Sequence, residues 1–198
     1  AESSQDAELC PFAEVEGVEG RFTSHAWLEP GDDCLAACTA EGLVFILGAA
    51  RGDDDVEPLV FKVLQNLRAP FRDANKDGAN VGAHCLRCFN DGLVFGGSHG
   101  LVELWKKQQL DCTDQTHAVG AFVHVLTVRV AELESSLSCV DVAGHGDGMK
   151  LLFGLGNSTL LHCSVAELHA AAFEHRAVQA DALDVGGCHA GGIVGLDV

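Results

Sequence analysis

The sequence predicts an all-β chain, on three observations. Glycine is abundant at 23 residues, methionine and lysine are sparse, and short Val- and Leu-rich runs recur. Bulky apolar side chains pack well on a pleated surface, and glycine supplies the turn conformations that other residues avoid. Beyond these three, one motif returns at fixed spacing: an apolar strand, a turn closed by a small residue, and a second apolar strand. The turn residues Gly42, Gly100 and Ser158 are 58 and 58 positions apart. A fixed period of this kind marks a repeat architecture.

Residues 1–20 are rich in Glu, Asp and Ser, with little to bury, and read as an acidic tail or loop. The first repeat pairs Cys34–Gly42 with Leu43–Leu47, the second Gly92–Gly100 with Leu101–Trp105, and the third Met149–Ser158 with Thr159–Val165. Each pair reads as the middle of a four-stranded unit. Phe22–Leu28, His84–Phe89 and Leu137–Val142 are the expected first strands. Pro58–Leu64, Ala121–Val130 and a poorer stretch around Arg176 are the expected fourth strands. Val56–Leu67 also fits helical spacing, so periodicity leaves helix and strand open there, and Glu167–His175 reads as a short Ala- and Leu-rich helix. Ile193–Val198 would begin a further unit.

Four-stranded units in series are the pattern of a WD40-like β-propeller. The expectation is about three blades, near 21–70, 82–131 and 136–182, plus the first strand of a fourth at 188–198. The period exceeds the roughly 40–45 residues usual for such repeats, which places insertions at 48–58 and 70–82. Beginning at Ala1 and holding too few blades to close a ring, the chain reads as a segment of a longer protein.

Twenty-nine acidic against twelve basic residues leave a formal charge of −17. Such a surface repels phosphate backbones and anionic headgroups, so neither nucleic acid nor membrane is an expected partner; protein faces rich in Lys and Arg are. Nine cysteines, odd in number and mostly within apolar runs, fit buried thiols in a reducing compartment. The expected setting is the cytoplasm.

Several motifs carry chemistry elsewhere. Gly96-Gly-Ser98-His-Gly100 satisfies the nucleophile-elbow pattern, but that elbow needs a helix after the serine, and Leu101–Trp105 reads as a strand. A serine hydrolase using Ser98 is the alternative left behind. Asp73–Gly78 matches half of a calcium loop, yet its twelfth position is His84 rather than Glu. Cys85 and Cys88 beside His84 could start a zinc site, but residues three apart on a strand point to opposite faces. No metal, cofactor, catalytic residue or small-molecule substrate is therefore expected.

WD repeats typically carry a His before the first strand, a Ser or Thr in the second, an Asp in the next turn and a Trp in the third. Ser98 and Trp105 match, and Cys188-His189 stands where the Gly-His pair would; Glu41, His99 and Asn157 occupy the Asp positions. Gly42, Ser98, Gly100, Trp105 and His189 are thus the candidate structural repeat positions. Phe22–Leu28 leading to Thr39–Phe45, Asn90–Gly97 leading to Leu101–Lys106, and His189–Val198 resemble, in this order, the WD-repeat region of the cilia- and flagella-associated protein 57 family. The resemblance implies an axonemal scaffold of cilium or flagellum, with inner-arm dynein subunits and doublet-associated proteins as partners. Related axonemal WD-repeat proteins share parts of the pattern, and the chain lacks the heptads of that family's coiled-coil tail.

Overall fold

The computed structural model describes residues 13–28, 33–50, 59–68, 83–89, 92–108, 121–130, 137–144, 148–155 and 159–183. They form three sheets in chain order, antiparallel apart from one parallel pairing in the first. The first contains β2 (Phe22–Trp27), β3 (Cys34–Thr39), β4 (Leu43–Ala50) and β5 (Leu59–Arg68), with β1 (Ala13–Glu16) added outside β5. The second runs β6 (Ala83–Phe89), β7 (Gly92–Gly97), β8 (Leu101–Lys107), β9 (Phe122–Arg129). The third runs β10 (Leu137–Ala143), β11 (Lys150–Leu155), β12 (Leu160–Ser164), β13 (Asp181–Leu183), with helix α1 (Val165–Phe173) between its last two strands.

Each sheet is a meander, and the first strands β2, β6 and β10 lie side by side, so the sheets stack face to face around them. This explains why the strands read as continuous apolar runs rather than alternating ones. Both faces of a central blade are buried. In β4, Val44 and Ile46 pack toward the second sheet, in a cluster with Leu86, Leu93, Phe95 and Trp105. Phe45 and Leu47 pack on the opposite face with Leu35 and Phe61. Across the next seam, Val94, Val102, Leu104, Leu126 and Val128 meet Leu137, Val140, Leu151 and Phe153. Each such side chain contributes roughly 1.5–3 kcal/mol on burial.

The turns follow the repeat. Gly42 closes the β3–β4 turn at φ 82 and Gly100 the β7–β8 turn at φ 67, conformations that favour a residue without Cβ. Ser158 and the 188–198 segment, His189 included, lie outside the described residues.

Four local readings are resolved or changed. The last strand of the third sheet, expected around Arg176, is β13 at Asp181–Leu183, because Arg176 is held just after the helix by its pair with Glu167 and the chain reaches β12 only beyond it. Val56–Leu67, open between helix and strand, is strand from Leu59, because β4 offers it a ladder from Leu43↔Arg68 to Ala50↔Val60. The helix is present and starts at Val165, where Ser164 caps it by accepting the Glu167 N–H at 3.0 Å. The acidic opening stretch reads as tail or loop in the sequence. Its Ala13–Glu16 instead pairs in parallel with Leu59–Lys62, and Val15 packs with Val18 on the outer face of the first sheet. Alternation of Glu with small apolar residues suits an edge strand, a pattern masked in the sequence by the surrounding charge.

Candidate functional site at the blade seams

The candidate repeat positions of the second blade sort into two separate polar pairs. After β7 the chain makes one 3-10 turn, Ser98–Gly100, and enters β8 directly. Ser98 Oγ lies 2.9 Å from His84 Nε2, on the first strand of the same blade, and burial pushes the His84 imidazole down from its ordinary range. The left-handed residues of the turn are His99, at φ 57, and Gly100, and not Ser98. An elbow would strain the serine itself and follow it with a helix. Neither condition is met.

Trp105 sits along β8 from this pair, opposite Leu93 in the ladder, whereas Val102 lies opposite Gly96 next to the turn. Its indole N–H donates to Glu103 Oε2 at 3.0 Å, its ring stacks on Phe95 with centroids 6.2 Å apart, and His124 meets it edge-on at 5.3 Å. Ser98 and Trp105 are therefore not joined in one set. Glu103 is wholly buried (0% exposed), and among the described residues its Oε1 accepts no hydrogen bond. Burial pushes this carboxyl up to about 7, partly offset by the Trp105 indole and the Thr127 hydroxyl.

His84 and Glu103 were missed as structural partners in the sequence. In the sequence His84 reads as the start of a first strand, a calcium position or a zinc neighbour. Its place at the start of a first strand, where a repeat histidine belongs, was the available signal. Glu103 offered none, because a lone acid between apolar residues on a strand reads as solvent-facing.

The remaining polar groups join one blade to the next. Between the first and second, the Leu86 N–H donates to Ser24 Oγ at 3.3 Å, and the Gln65 carboxamide bonds the Phe122 backbone. Between the second and third, Arg87 Nε pairs with Asp141 Oδ1 at 2.8 Å, and Val142 N–H donates to the same oxygen. Asp141 is buried, and its Oδ2 has no hydrogen-bond partner among the described residues.

The thiols of the Cys85-x-x-Cys88 pair diverge as strand geometry requires. Cys85 Sγ donates to Gly96 O and Leu137 O on the third-blade side, and Cys88 Sγ to Ala26 O of the first blade. They cannot grip one ion from a common face. Residues 73–82 of the calcium-loop half-match lie outside the described residues.

On the surface, Trp27 (52% exposed), Phe22, Leu64, Val123, Val125 and Phe173 leave apolar area in water. These positions lie on β2, β5, β9 and the end of α1.

No family model and no curated protein matches the sequence. Solved structures do. The β-propeller domain of Myceliophteria thermophila Cps50 (Swd1) superposes with a TM-score of 0.51 at 13% identity, covering 83% of this chain and 41% of that one. The WD40 repeats of RRP9 give 0.49 at 13% identity, covering 84% and 41%. Saccharomyces cerevisiae Sqt1 gives 0.44 at 12%, covering 70% and 31%. The chain thus spans about two-fifths of the first propellers it matches. Three meandering sheets stacked about adjacent first strands, superposing on part of a propeller domain, make this chain in its fold a partial WD40-type β-propeller.

Proposed function

We propose that the chain is a non-catalytic docking scaffold: a rigid stack of blades whose periphery holds a protein partner and whose buried polar groups serve the stack itself. The carrying observation is that the polar pairs inside the fold serve the stack: His84–Ser98 ties the first strand of the second blade to its turn, Gln65–Phe122 and Arg87–Asp141 join one blade to the next, and Trp105–Glu103 lies within β8 on the seam. None presents a base-activated nucleophile with an orienting acid, which acyl transfer at Ser98 would need. The formal charge of −17 favours partners with basic faces.

Within this reading, the resemblance of three segments to the cilia- and flagella-associated protein 57 family supports a place on the ciliary or flagellar axoneme. There the chain would help position inner-arm dyneins on doublet microtubules and so support ciliary motility. The test is to express the tagged chain in ciliated cells and fractionate the cilia. Retention with detergent-extracted axonemes, together with salt-sensitive binding to purified inner-arm dynein, supports the assignment. Recovery in the soluble fraction with no dynein binding overturns it and leaves a cytosolic interaction module. Covalent labelling of Ser98 by a fluorophosphonate would sink the non-catalytic reading as well.

A further inference from the structure

We propose that the Glu103 carboxyl is a proton-controlled latch on the seam between the first and second blades, closed while it is protonated and loosened when it ionises. The geometry begins with alternation along β8. Leu101 and Trp105 both pack into the cluster shared with the first blade, so Glu103 between them faces the same seam. Its cross-strand neighbours are Phe95 on β7 and Thr127 on β9. Across the seam stand Ala36 and Cys38 of β3, Val44 and Ile46 of β4, and Leu67 of β5. This is an apolar wall.

A carboxylate in such a place needs donors for both oxygens; among the described residues the Trp105 indole donates to Oε2, the Thr127 hydroxyl offsets the effect of burial only in part, and Oε1 accepts no hydrogen bond. The neutral acid tolerates that arrangement; the anion does not, because a buried charge with an unpartnered oxygen forfeits its hydration without replacement. The titratable neighbours do not rescue it. The His124 imidazole, edge-on to Trp105, is held below its ordinary range by burial and so stays neutral near pH 7, and the Cys38 thiol is pushed up by burial and stays protonated.

The sign follows from linkage. The carboxyl sits at about 7 in the folded chain against an ordinary value of 4.5. Below about 4.5, folded and unfolded forms are both protonated and the seam has its full stability. Between the two values the folded form holds a proton that the unfolded form has lost, so stability falls as pH rises, and above about 7 the contribution is gone. Phe122, tied to Gln65 of the first blade, lies in the same seam cluster and reports its opening.

The decisive experiment follows the chain from about pH 5.5 to about pH 8.5 by NMR. In the wild-type chain the Glu103 side-chain carboxyl carbon is expected to titrate with a midpoint near 7. Over the same range the Phe122 amide, corrected for intrinsic chemistry, should exchange about tenfold faster. In W27F, where Trp105 is the remaining tryptophan, indole fluorescence should shift with that midpoint; in W27F/E103Q the shift should vanish. A Glu103 carbon titrating in the ordinary carboxylate range overturns the proposal. So does Phe122 exchange that ignores pH, or a fluorescence shift that survives E103Q and disappears in W27F/H124N. The first two readouts need no variant and hold even if E103Q fails to fold.

Discussion

The carboxamide of Gln65, on the outer strand of the first blade, satisfies both backbone groups of Phe122 in the second: Nε2 donates to the Phe122 carbonyl at 2.8 Å, and the Phe122 N–H donates to Oε1 at 2.9 Å. One side chain here does the work of a neighbouring strand. It also occupies hydrogen-bonding capacity at the start of β9, the last strand of its sheet, where exposed Val123 and Val125 would otherwise invite pairing.

Gln65→Ala should therefore cost about 2 kcal/mol, two part-buried hydrogen bonds at about 1 kcal/mol each. Urea unfolding measures it. Gln65→Glu should do no better, because a carboxylate cannot donate to the Phe122 carbonyl. If the Glu variant matched wild type, the paired geometry would be wrong.

Arg87 and Asp141 make the equivalent tie across the next seam, with an uneven burial of 43% against 2% side-chain exposure. Removing the cation strands a buried carboxyl that already has an unpartnered oxygen. Arg87→Ala should cost about 1–3 kcal/mol. The double variant R87M/D141L replaces the pair with packing and should recover part of that loss, since apolar substitutes often match a buried ion pair. A double variant less stable than Arg87→Ala would show that the pair is net stabilising.

Packing at this seam is tight enough to read from a single methyl. A Cβ on Gly96 would stand 2.8 Å from Leu137 Cδ1, 3.1 Å from Cys85 Sγ and 3.2 Å from Leu137 Cβ. Gly96→Ala should cost about 1–3 kcal/mol through overpacking. Leu137→Ala alone should cost about 2–5 kcal/mol. Combined, the two should cost less than their sum, because the new methyl fills part of the space vacated by Leu137. Strict additivity in a thermal or urea cycle would rule out the predicted contact.

These interactions show what a sequence carries and what it hides. The middle strand pairs of all three sheets were visible, because strands buried on both faces impose runs such as Leu43–Leu47 whatever their neighbours; the short exposed β13, expected around Arg176, was not. The Gly42 and Gly100 turns were visible because their backbone conformation selects glycine. The seam ties were not. Gln65 and Arg87 become partners of Phe122 and Asp141 only after the blades stack, and the pairs are 57 and 54 positions apart in the chain. Likewise Ser98 and Trp105 both carry the expected residue type, but only the fold shows that His84 takes one and Glu103 the other.

The buried thiols offer a test of the seams that needs no substitution. Burial pushes Cys88 and Cys163 up to about 12, and moves Cys85 further still in the same direction; the Arg87 charge beside Cys88 only partly opposes it. A thiol moved from 9.0 to about 12 presents roughly a thousandfold less thiolate at neutral pH, and the thiolate is the nucleophile. Alkylation of the native chain with iodoacetamide, followed peptide by peptide in a mass spectrometer, should thus be slower at these three sites by at least about a hundredfold than in guanidinium-unfolded chain. Because Cys85 faces the third blade and Cys88 the first, their relative rates distinguish which seam opens. If raising the pH from 6 to 8 accelerates Cys88 beyond the tenfold per pH unit that thiol ionisation alone allows, while Cys85 stays within it, the opening lies on the first-blade side. Equal acceleration at both sites would mean that the stack opens as a whole.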